Sequence, residues 1–333
     1  MDRARAAALY TPAARTALES FTIEPVDLAV VAVSENVTFK VNDARDGDAY
    51  VLRLHRPGYH TLDELNAERV WTAALISAGI PAPQGVATRD GRQFIAVDIA
   101  ATGERRHVGM LRWTPGEVLG EVLSREDDER VTEHYFERLG AVAARLHHQS
   151  TGWAPPAGFT RHILDREGLM GEVPFWGRFW EHPSFSTAER GLLADTRDII
   201  RAALDRYGRR DATFSLIHAD LHPYNVLVNG EDLTVIDFDD AAFGWHVYDI
   251  AVALGHYQAA PNFAMIVSRF LSGYRAHRPF ADHDEAQLPM FILMRGLVQL
   301  GWIMQRPELD PPKFFDAMKA ALCASCAAFQ PAA

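Results

Sequence analysis

Between Ser215 and Leu254 the chain reads SLIHADLHPYNVLVNGEDLTVIDFDDAAFGWHVYDIAVAL. A short apolar run leads into a polar loop from His218 to Tyr224. The spacing then predicts a strand over 225–228, a turn at Asn229-Gly230 and a second strand over 233–236 that ends at Asp237. Two short antiparallel strands of this kind set Asp220, Asn225 and Asp237 at neighbouring loop ends. Phosphoryl transfer from ATP needs such a set. A carboxylate must orient the attacking hydroxyl and accept its proton, and oxygen ligands must hold Mg2+ against the β- and γ-phosphates.

Each of these residues alone has a plainer reading. A single loop Asp is usually a turn or cap residue, and an Asn before a strand usually makes local hydrogen bonds. His218 and His222 alone are usually structural or surface residues. The joint pattern, H-x-D-x-x-x-x-N followed by a hairpin and an Asp after an apolar strand, lifts the set above chance assembly. One other chemistry uses part of it. Alternate residues of an extended segment face one side, so His218, Asp220 and His222 form a cluster able to hold zinc for hydrolysis. That reading leaves Asn225 and Asp237 without a role and finds no second His cluster.

The elements around this segment divide the chain. A helix is predicted over 4–20, then β-prone runs at Val30–Val33, Val37–Val41 and Tyr50–Leu54, joined by the turns Ser34-Glu35-Asn36 and Asn42 to Gly47. An amphipathic helix follows over 61–78, capped at Gly79 and stopped by Pro81 and Pro83. Further strands are read at 85–88, 93–99 and 108–113 before Thr114-Pro115-Gly116 breaks the pattern. Residues 1–112 therefore form a β-rich unit with one helix packed on it, and residues 113–333 a mainly helical one. Helical spacing recurs over 127–149, 187–207 and 283–305, and the aromatic-rich stretch 153–185 reads as an ordered insertion because its rings want burial.

The catalytic segment resembles the corresponding loops of the aminoglycoside phosphotransferase, choline kinase and type II homoserine kinase superfamily, relatives of the protein kinases. The resemblance runs on through Leu111-Arg112-Trp113-Thr114-Pro115-Gly116 and Ala144-Arg145-Leu146-His147. It implies an α+β, two-lobed protein-kinase-like fold, with an antiparallel N-terminal nucleotide-binding lobe and a helical C-terminal catalytic and substrate-binding lobe. ATP would lie between the lobes, and a substrate pocket would be walled by 153–185 and the C-terminal helices. By the same resemblance Asp220 is the catalytic base, His218 buttresses its loop, and Asn225 and Asp237 are the Mg2+ ligands. Asp249 ties the loop to the following helix. Arg53 stands on the third strand where kinases carry a phosphate-gripping lysine, with Glu68 as its partner on the helix. Arginine is not equivalent to lysine there. The Ser34–Asn36 turn has no glycine to let backbone amides approach phosphates, so the side chains of Ser34 and Asn36 are the expected donors. Arg53 and the glycine-free turn are what favour an alternative, a catalytically silent nucleotide-binding module.

Composition bounds the partners. The 333 residues carry a net charge of −11, which argues against general nucleic-acid binding, and only Lys40, Lys313 and Lys319 are lysines. No signal-peptide pattern opens the chain and no apolar run reaches the ~20 residues that cross a bilayer, so a cytoplasmic protein is expected. Cys323 and Cys326, a C-x-x-C in an alanine-rich helix, read as buried or half-buried thiols. The acceptor expected is a hydroxyl of a small molecule, of the homoserine, choline-like, sugar or aminoglycoside class. A protein serine or threonine is the alternative, since the segment Asp237–Asp240 and the helix near Met294–Met304 also look similar to a bacterial stress-response Ser/Thr kinase.

Overall fold

A computed structural model describes residues 3–34, 36–45, 47–307 and 315–329. Glu35 of the first predicted turn and Asp46 of the second lie outside them. The chain forms two compact units. The first comprises Met1–Gly116, Pro155–Thr160 and Thr234–Asp239, and the second Glu117–Ala154, Arg161–Leu233 and Asp240–Ala333. Asp237 therefore belongs to the first unit, and Asp220 and Asn225 to the second.

The first unit opens with helix α1 (Arg3–Leu18), followed by strands β1 (Pro25–Val33), β2 (Val37–Asp43) and β3 (Ala49–Leu54). Helix α2 (Leu62–Ser77) leads to β4 (Gly85–Val86), β5 (Phe94–Ile99) and β6 (Glu104–Arg112). The strands pair antiparallel in the order β1-β2-β3-β6-β4, with β5 on β6. Alternation in β3 buries Tyr50, Leu52 and Leu54 on one face, with Phe39, Met110 and the α1 residues Tyr10, Ala14 and Leu18 in the same core. Period-2 geometry then turns Arg53 to the opposite face. Helix α2 starts at a full capping box: Thr61 accepts from the Glu64 amide and Glu64 from the Thr61 amide. Gly79, at φ +74°, ends it in a left-handed conformation that costs glycine little.

The second unit starts with β7 (Glu117–Val118), α3 (Leu119–Arg125) and α4 (Glu129–Gly152), then β8 (Ile163–Leu164), α5 (Arg166–Met170), α6 (Thr187–Tyr207) and β9 (Phe214–Ile217). Strands β10 (Val226–Asn229) and β11 (Asp232–Val235) follow, joined across the Asn229-Gly230 turn, with Thr234 and Val235 of β11 counted in the first unit, and β12 (Ala242–Trp245) comes next. Helices α7 (His246–Gly255), α8 (Phe263–Arg275), α9 (Asp282–Glu285), α10 (Leu288–Met304) and α11 (Phe315–Ala328) complete it. The helix expected over 283–305 is two helices, α9 and α10, meeting at Ala286 and Gln287, with Pro289 in the first turn of the second. Proline there lacks only an amide that a helix start leaves unpaired. In the aromatic stretch Trp176, Phe179 and Phe185 are buried, as its composition requires. Among the described residues one helical stretch, Asp282–Met304, has the length and apolarity to cross a membrane, and 61% of its apolar window is buried within the protein, the mark of a core helix.

Candidate active site

In the second unit, β9 delivers the chain to His218 at the end of an apolar strand. Asp249, wholly buried on α7, accepts the His218 amide through Oδ2 at 2.9 Å and the Ala219 amide through Oδ1 at 2.6 Å. Ala219 has φ +63°, a left-handed conformation that L residues other than Gly and Asn adopt at a cost, and Asp249 is the group that holds it there. Burial pushes the Asp249 carboxyl up to about 6, against the pull of His218 and the two amides. His147 of α4 places Nε2 3.1 Å from the same carboxylate and Nδ1 2.9 Å from the Tyr274 hydroxyl. His218 lies fully buried beneath the loop, its Nδ1 3.3 Å from the Asp220 amide.

Asp220 emerges from this pinned loop. Its Oδ2 accepts Asn225 Nδ2 at 2.8 Å and lies 3.2 Å from His222 Nε2. Its Oδ1 accepts Arg295 Nη2 at 2.7 Å. Burial would push this carboxyl up; His222 and then Arg295 and His218 overrule it and hold it well below the ordinary carboxylate range. Asn225 closes a single 3-10 turn, Pro223–Asn225, one residue before the strand expected to begin at it. It gives its amide nitrogen to the Asp220 carbonyl (3.0 Å) and carboxylate, which leaves its side-chain oxygen as the atom able to meet a cation.

In the first unit, Arg53 Nη1 lies 2.7 Å from Asp237 Oδ1. Asp237, at φ +63°, keeps 39% of its side chain exposed, whereas Arg53 keeps 12%. Burial would lower the Arg53 pKa; Asp237, Asp239 and Glu68 together raise it. The pair expected between Arg53 and Glu68 does not form. Asp237 takes the guanidinium instead, and Glu68 Oε1 pairs with Arg69 at 3.5 Å, because Arg69 buries its own charge beside it. Lys40 points elsewhere, its Nζ 4.3 Å above the Trp113 ring.

The glycine-free turn also departs from expectation. Ser34 is exposed and its amide closes the turn on the Asn36 carbonyl at 3.1 Å. Asn36 is buried and engaged at both ends: Nδ2 donates to Asp239 Oδ2 (3.0 Å) and Oδ1 accepts the Arg56 amide (2.9 Å). It braces the turn.

Two participants escaped the sequence reading. Asp239 is buried against Asn36 and, at 3.5 Å, His55, with its carboxyl held well below the usual range by His55 and Arg53 despite burial. Arg295 is the only charged residue in the α10 sequence LPMFILMRGLVQLGWIM. That was the available signal, since a lone guanidinium in an apolar helix must find a partner. Burial would lower its pKa; Tyr248, Asp220 and Asp240 together raise it.

Known proteins resemble this chain in sequence and fold. Residues 29–285 match the phosphotransferase enzyme family. The solved structure of a microcompartment-associated aminopropanol kinase shares 31% identity and a TM-score of 0.81, covering 95% of each chain. An amicoumacin kinase in complex with AMP-PNP, Ca2+ and Ami superposes with a TM-score of 0.79 at 19% identity, over 99% of this chain and 97% of that one. Homoserine kinase of Pseudomonas aeruginosa is 27% identical over 297 residues, 85% of this chain and 84% of its own. The antiparallel sheet with its helices α1 and α2, the helical remainder and the match over most of the sequence lead to one conclusion: the chain belongs to the phosphotransferase enzyme family and has its protein-kinase-like α+β fold.

Proposed function

We propose that the protein transfers the γ-phosphate of ATP to a hydroxyl of a small molecule, with Asp220 as the group that orients that hydroxyl. The observation that carries the reading is the Asp220 carboxylate itself, fixed by Asn225, His222 and Arg295 on a loop pinned by Asp249. The acceptor oxygen would form its bond to the γ-phosphorus as the bond to the β-bridging oxygen breaks, releasing ADP, while the acceptor proton passes to Asp220. The low carboxyl pKa suits a loose transition state, in which the hydroxyl loses its proton late and orientation matters more than basicity.

The donor types suit a hard divalent cation: the half-exposed Asp237 carboxylate and the Asn225 side-chain oxygen are the ligands we assign to Mg2+. Bound there, the ion would neutralise phosphate charge. Arg53 Nε is buried with no hydrogen-bond partner among the described residues, a donor that phosphate binding around Arg53 would use. The kinases similar in sequence and structure are named for small-molecule acceptors, aminopropanol and homoserine among them, which supports a small molecule over a protein.

Substitution Asp220→Asn tests the assignment. Turnover should fall by ~10²–10⁴ while calorimetric affinity for Mg·ATP stays within about twofold. Full activity in the variant would remove Asp220 from the reaction.

A further inference from the structure

A cavity of about 570 Å³ opens within the second unit between α7, α10 and α11. That size suits a small organic ligand. Two lining residues connect it to the reacting carboxylate: Arg295 bonds Asp220 directly at 2.7 Å, and the His256 ring packs edge-on against His222 with centroids 5.2 Å apart. No residue of 153–185 is among its lining residues, which come from the helices and the turn after α7.

The lining has a definite chemistry. Val252, Ile292, Met318 and Leu322 give it an apolar body, and Gln258 and Gln299 supply uncharged donors and acceptors. None of the described lining residues is a carboxylate. The carboxylate beside it, Asp220, is already compensated by Arg295, His222 and Asn225. An ammonium group entering here would shed water and meet a guanidinium and an imidazole. Desolvation without a counter-charge is among the most unfavourable terms in binding. A carboxylate would fare little better, because the Arg295 charge is spent on Asp220.

We infer that this cavity is the acceptor pocket and that it selects an uncharged alcohol with an apolar body, hydrogen-bonded by Gln258 and Gln299. The inference rests on the phosphotransferase reading with Asp220 as the reacting carboxylate. It also separates this chain from the aminopropanol kinase it resembles, whose named acceptor carries an amine.

Three probes of one skeleton test it: hexane-1,6-diol, 6-aminohexan-1-ol and 6-hydroxyhexanoate, titrated calorimetrically into the full chain with Mg·AMP-PNP present. The diol should bind at least tenfold more tightly than either charged probe. Gln299→Glu, which brings a carboxylate to the wall, should narrow or reverse the gap for the amino alcohol. Ala321→Trp, at the rim on α11, should abolish diol binding in a protein whose Tm confirms folding. Equal or tighter binding of a charged probe to the wild type overturns the inference, as does no binding of any probe or diol binding undisturbed by Ala321→Trp. Failure of the underlying kinase reading shows separately, as Mg·ATP turnover indifferent to Asp220→Asn.

Discussion

Asp220 sets three neighbours against two oxygens, two of them local in sequence and one distant. Asn225 and His222 follow from the loop's own spacing; Arg295 comes from a helix 75 residues later. Deeper in the same unit the histidines are kept neutral. Burial lowers His147 to about 3, and His246, stacked on it with centroids 4.3 Å apart, is also held well below the usual imidazole range. The unfolded chain protonates both near pH 6.5, and the folded chain does not, so stability falls as pH drops below that value. Asp249 works in the opposite sense: its raised pKa means the folded state takes up a proton near pH 6, before the unfolded state does. Burial also lowers His256 to about 4, so between pH 6 and pH 4 three imidazoles outweigh the one Asp249 carboxyl and stability falls as pH drops. Chemical-denaturation midpoints measured across that range should show the slope, and His246→Asn should flatten it. An unchanged midpoint from pH 6.5 to 4 would mean that these imidazoles are not neutral in the fold.

The crossing of α4 and α8 positions much of this by letting the helices touch at glycine. A Cβ on Gly140 would run into the Phe270 carbonyl oxygen, and one on Gly273 into that of Glu137. Both obstacles are backbone, so no side chain can step aside, and the helices must part. His147 and Tyr274 sit on these same two helices, and the Tyr274 hydroxyl holds the His147 ring that in turn meets Asp249. Gly273→Ala should therefore destabilise the protein by about 3 kcal/mol through overpacking, read as a lower urea midpoint. A change under ~0.5 kcal/mol would show that the crossing relaxes freely.

Across the whole molecule, the chain leaves the second unit at Leu233, contributes Thr234–Asp239 to the first and returns at Asp240. The proposed base and the proposed metal carboxylate are thus close in sequence but belong to different packed bodies. Nucleotide binding then has a reading in global stability. Mg·ATP at 100 times its dissociation constant should stabilise the folded chain by ~2.7 kcal/mol, seen as a rise in Tm. Asp237→Ala should remove the part of that rise that depends on Mg2+. A full Mg2+-dependent shift in the variant would take Asp237 out of metal binding.

The sequence by itself determined the elements whose cause is local. The capping box at Thr61, the alternation that turns Arg53 away from Leu52 and Leu54, and the Asn229-Gly230 turn each act within a few residues, and each is legible as written. The spacing from His218 to Asp237 is legible for the same reason, since one loop and two short strands carry it. Tertiary structure alone decided the partners. Arg53 meets Asp237 instead of Glu68, Asn36 turns inward to Asp239, and Arg295 reaches Asp220 from α10. A buried charge takes whichever counter-charge packing brings within about 3 Å, and that is set by how distant elements meet rather than by any window of sequence.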